Sequence, residues 1–133
     1  MKKLLILLVV LLSGCVAVDA VLMTHFDPNE YLIITRIKVD ALRYKQDCHD
    51  MTKSTKNADS IQYQTELYLA YEQELNNNDN GIKAAKDLNE IALGLHKRYS
   101  VGKVVPPLFC ELKYGAIENS AMLIQHVIGG RPR

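Results

Sequence analysis

The chain has 133 residues, 48% of them hydrophobic, with 16 Lys and Arg against 15 Asp and Glu. So even a balance, with no basic run beyond Lys97-Arg98, argues against a nucleic-acid partner and against a polybasic lipid-binding segment. No internal repeat stands out, and the low-complexity content is limited to the short tract NNNDNG.

In chain order, the first element is a leader. Lys2 and Lys3 precede an unbroken apolar run from Leu4 to Leu12. A bilayer-spanning helix needs about 20 apolar residues, so this run suits the apolar centre of an export signal better than a span. Continuing it to Met23 as a signal anchor would place Asp19 in hydrocarbon, at a cost of up to about 3 kcal/mol.

Leu12-Ser13-Gly14-Cys15 follows, and this stretch resembles the lipobox of bacterial lipoproteins. The resemblance implies a diacylglyceryl group in thioether linkage to Cys15, cleavage just before it, and acylation of the new amino group. Small residues at 13 and 14 let the peptidase reach the backbone beside a bulky lipid. Two or three acyl chains anchor a protein stably where one holds it only marginally. The family's sorting rule uses Asp after the cysteine for inner-membrane retention. Val16 stands there instead, which implies the outer membrane, facing the periplasm.

The segment VAVDAVLMTHF after Cys15 is apolar where lipoproteins often carry a Gly/Ser-rich tether, and it implies a domain held close to the membrane. Residues 1–14 are thus read as signal, 15–27 as lipid-anchored linker, 28–128 as a helical domain and 129–133 as a tail. Removal of residues 1–14 leaves 119 residues, enough for one domain, and takes Lys2 and Lys3 with it, leaving 14 basic residues against 15 acidic. With Cys15 consumed by lipid, Cys48 and Cys110 remain. An oxidising compartment gives them one possible pairing.

Asp27 can cap the first predicted helix, Pro28 suits its first position, and Glu30 completes a capping-box pattern. Ile34, Ile37, Ala41, Tyr44 and Cys48 then recur at helical spacing. The polar stretch HDMTKSTKNADS leaves the next boundary open. A second helix over IQYQTELYLAYEQELNNN places Ile61, Tyr68 and Leu75 on one side, and NNNDNG is a turn. A third helix from Ile82 to Tyr99 turns Ile82, Ala85, Leu88, Ala92, Leu95 and Tyr99 inward. The consecutive prolines of SVGKVVPP require a loop. A fourth helix opens at Pro107, with Cys110, Tyr114, Ile117, Ala121, Ile124 and Ile128 as its stripe, and stops at Gly129-Gly130.

Four amphipathic helices with mostly short links predict an all-α, antiparallel four-helix bundle. In that up-down-up-down order the end of helix one lies beside the start of helix four. Cys48 and Cys110 occupy those two places on the inward stripes, so compartment and topology independently predict a Cys48–Cys110 disulfide.

Residues that could carry chemistry are sparse. Cys48-His49-Asp50 lacks further ligands at metal-site spacing, and His25, His96 and His126 are scattered. There is no C-x-x-C pair, no haem-attachment motif, no G-x-S-x-G elbow and no phosphate loop. Glu66, Glu72 and Glu74 are read as a solvated face rather than catalytic carboxylates. Tyr63, Tyr68 and Tyr71 cannot all face one core, which makes that side of helix two the predicted partner contact. The sequence therefore predicts no catalytic residues, no metal and no cofactor. It predicts a membrane-anchored lipoprotein that serves an envelope complex as a binding or structural component with a protein partner. The alternatives are a phage- or plasmid-borne entry-exclusion lipoprotein and a small-ligand carrier with a cavity between its helices.

Overall fold

The computed structural model describes residues 24–133; the lipobox and Cys15 lie outside the described residues. Four helices follow in order: α1 (Pro28–Lys45), α2 (Met51–Glu74), α3 (Asp79–Ser100) and α4 (Pro107–Gly129), with no strand among the described residues. Cross-helix partners fix the topology, because their positions run in opposite directions along each pair. Asp40 and Tyr44 meet Gln64 and Ser60. Thr65 meets Asn89 while Asp59 meets His96. Glu30 meets Arg131, and Lys38 meets Gln125. The bundle is antiparallel, up-down-up-down, with α1 against α4 and α2 against α3 as its most extensive packings.

Each helix contributes one stripe to a common core. Ile34, Ile37 and Ala41 of α1 are fully buried, as are Tyr114, Ile117, Ala121 and Ile128 of α4. From α3 come Ala85, Leu88, Ala92, Leu95 and Tyr99. Ile124 and Tyr44, placed inward by spacing, sit only half-buried at the core's edge, and Ile82 is half-buried as well.

The start of α2 differs from the sequence expectation. The polar stretch after Cys48 is helical from Met51, and Asp50 caps that helix: its side chain accepts from the Lys53 N–H at 3.0 Å. The α2 stripe is Ser54, Ala58, Ile61, Thr65, Tyr68 and Glu72, which has the 4-3-4-3-4 spacing of its neighbours with polar residues at half of its positions. Two of these are satisfied locally. The Ser54 hydroxyl donates to the Asp47 carbonyl at 2.7 Å, and Thr65 Oγ1 donates to the Gln62 carbonyl at 2.9 Å.

Cys48 and Cys110 form the predicted disulfide, with Cα atoms 5.7 Å apart and both sulfurs buried. The bridge ties the end of α1 to the first turn of α4. At the opposite end, Asn77 adopts a left-handed backbone (φ 54°) in the turn before α3, a conformation that asparagine tolerates better than most residues.

Candidate functional site

Asp27 caps α1 as its sequence predicts, accepting from the Asn29 and Glu30 N–H groups at 2.8 and 3.2 Å. Its second oxygen accepts from the Tyr71 hydroxyl at 2.7 Å. Burial opposes the ionised form of Asp27, but these donors outweigh it and hold the carboxyl below its ordinary range. Glu30, expected to close a capping box, instead turns its side chain into the bundle.

There it meets Glu72, and both are fully buried. This corrects the reading of Glu72 as part of a solvated face. Glu30 lies four residues before Ile34, and Glu72 four after Tyr68, so each continues its helix's inward stripe. The remaining partners come from the two chain segments at this end. The Arg131 guanidinium pairs with Glu30 Oε2, and Asn78 Nδ2 donates to Glu72 Oε2 at 2.6 Å and to the Glu72 carbonyl at 3.0 Å. Tyr68 Oη, Glu30 Oε1 and Glu72 Oε1 are buried without another donor or acceptor.

Two carboxyl groups and one guanidinium are neutral as a set only when one carboxyl keeps its proton. Burial, with Glu72 close by, accordingly pushes the Glu30 carboxyl up to about 8, against the opposing pull of Arg131. Tyr68 is held neutral by the same burial and the same carboxylates. This sealed cluster closes the end of the bundle where residue 24 enters and where the tail leaves. Sequence reasoning missed it, although the regular spacing that places Glu30 and Glu72 on the stripes was available.

Gly81, the third residue of α3, is shaped by the cluster. A Cβ there would lie 2.2 Å from Asn78 Oδ1 and 2.4 Å from Glu72 Oε2. Alanine is normally better than glycine in a helix by about 1 kcal/mol. Here Gly81→Ala would push apart two buried, hydrogen-bonded side chains, and a net loss of about 2 kcal/mol is expected. Thermal unfolding checks it; a raised Tm would refute the packing.

The three tyrosines proposed as a contact face do not share one. Tyr68 is wholly buried in the core, Tyr71 is half-buried and committed to Asp27, and Tyr63 is 64% exposed. The α2 tyrosine face is corrected to Tyr63 alone, because the 100° helical step sends residues 63, 68 and 71 in different directions.

Cys48-His49-Asp50 is likewise divided among structural tasks. Cys48 is bridged, Asp50 caps α2, and exposed His49 faces Glu111 at 3.4 Å. Among the described residues, no group of three or more His, Cys, Asp or Glu converges as metal ligands would. Between the helices, the centre is filled by Tyr68, Tyr114 and the aliphatic stripes. No family model, no curated protein and no solved structure matches the chain.

Large exposed apolar side chains mark the remaining candidate surface. On α4, Leu108, Leu112, Met122, Leu123 and Val127 are each half or more exposed, while its charged residues, Glu111, Lys113 and Glu118, are half-buried. The helix therefore carries hydrocarbon on its outer side as well as on its buried stripe, where a surface helix ordinarily turns charge outward.

Proposed function

We propose that this protein is a lipid-anchored lipoprotein that faces the periplasm from the outer membrane and acts without catalysis, as a binding or structural component of an envelope complex. The observation that carries the reading is Leu12-Ser13-Gly14-Cys15 behind Lys2, Lys3 and a short apolar run. Three further features support it. A cystine suits an oxidising compartment. The bundle devotes its convergent polar residues to holding its own end together. An apolar outer helix suits a partner surface better than bulk water.

The anchor is tested by mass spectrometry of the protein isolated from cell envelopes. The expected product starts at Cys15 and carries diacylglyceryl and acyl mass. Cys15→Ser should abolish both the mass and the membrane retention, and an unmodified, full-length product would refute the reading. Crosslinking in cells, followed by pull-down from detergent extracts, then tests for an envelope protein partner.

A further inference from the structure

We propose that the outer side of α4, flanked by α1, rests on the surface of the anionic phospholipid bilayer that holds the anchor. This deepens the lipoprotein reading and rests on it. Of the thirteen large apolar side chains exposed among the described residues, eight lie on these two helices: five on α4, and Leu32, Val39 and Leu42 on α1. By contrast α3 contributes none.

Charge is segregated in the same sense. Residues 28–45 and 107–133, which form α1, α4 and the tail, hold seven basic residues and four acidic ones, and one of those acids is buried Glu30. Residues 46–74, leading into and through α2, hold two basic and six acidic residues. Basic side chains border α4 on both sides. Lys38 bonds Gln125, and the Lys45 ammonium lies beside Gly115. Lys113 and Arg98 sit over the Phe109 ring. Glu111 and Glu118 are the acids of this border, and His49 faces the first of them. Exposed Leu, Met and Val flanked by Lys and Arg is the pattern of a helix lying in a membrane interface. No described helix is long and apolar enough to cross a membrane, so α4 lies on the surface.

The point of chain entry fits this orientation. The Phe26 N–H donates to the Pro132 carbonyl at 2.8 Å, which puts the start of the bundle beside the C-terminal end of α4, near Met122, Leu123 and Val127. Eight residues separate Cys15 from Thr24, so the nine steps between them reach at most about 32 Å, while the 23 residues of α4 extend about 34 Å. A tether no longer than the helix keeps the bundle against the bilayer and allows α4 to lie along it.

Tryptophan is absent from the chain, so a single one can report position. Lipidated protein starting at Cys15 and carrying Leu123→Trp on α4, or Tyr63→Trp on α2 as control, is reconstituted into vesicles of phosphatidylethanolamine and phosphatidylglycerol. A fraction of the lipid is brominated near the headgroup end of its chains. Vesicle flotation reports anchoring, and quenching reports the face. The expected result is flotation of both variants, with a blue shift and loss of fluorescence for Leu123→Trp and little change for Tyr63→Trp. Flotation with equal quenching of the two overturns the face while leaving the anchor standing. Protection of Leu123→Trp from aqueous acrylamide without quenching by bromolipid also overturns it, and assigns α4 to a protein or a second copy. Failure to float overturns the anchor, and the inference with it.

Discussion

Arg131→Met is expected to cost about 3–5 kcal/mol of folding stability at pH 9 and far less at pH 5. Arg131 is nearly buried, and among the described residues its guanidinium is the single cation that meets the fully buried Glu30. At high pH its removal strands negative charge out of water, where an unpaired carboxylate has no solvent to screen it. At low pH the Glu30 carboxyl is protonated, and the guanidinium has less negative charge left to compensate.

The intact protein should show a related trend. The Glu30 carboxyl is raised from its ordinary 4.5 to about 8, so the folded state binds the extra proton. A group held protonated by folding makes stability fall as pH rises, and the fall spans about pH 4.5 to 8. Urea unfolding at pH 5, 7 and 9, followed by far-UV circular dichroism, checks both statements. Glu30→Gln should flatten the profile and recover much of the Arg131→Met loss at pH 9. An Arg131→Met penalty that is the same at pH 5 and 9 would show that the residue acts by packing alone.

Loss of the disulfide is the second large effect. The bridge joins residues 62 apart in sequence, and closing that loop restricts the unfolded chain by about 4 kcal/mol in the chain-entropy account. The same helices are also joined at their other ends by Glu30 and Arg131. Reduction should therefore lower stability without unpairing α1 from α4. Cys48→Ala with Cys110→Ala, compared with the oxidised protein in urea, should shift the midpoint down with the helical spectrum retained. An unchanged midpoint, or two free thiols in the unreduced protein, would contradict the bridge.

How much of this was readable beforehand varies by helix. The stripes of α1, α3 and α4 are made of Ile, Leu, Ala, Tyr and Cys, so hydrophobic periodicity exposes them directly. On α2, Ser54, Thr65 and Glu72 fill half the stripe. A search for hydrophobic residues therefore starts the helix about ten residues late and sends Glu72 outward. Polar residues are tolerated at these positions because neighbours bond them: the Asp47 carbonyl for Ser54, Asn89 for Thr65 and Asn78 for Glu72. Such partners are distant or lie in turns, and no local pattern announces them.

The sequence by itself determined the element types, the antiparallel order and the cystine, because periodicity, prolines and turn residues act over a few neighbours and the antiparallel order brings Cys48 beside Cys110. It also supplied the resemblance to a lipobox on which the proposed anchor rests, read from contiguous residues. Only the tertiary structure decided that two glutamates forty-two positions apart share a sealed space with Arg131. The same is true of the basic and apolar residues gathered on the α1–α4 side, from a chain with no charge cluster of its own. Burial and electrostatic neighbourhood depend on which helix faces come together, and antiparallel packing sets that across the whole length of the chain.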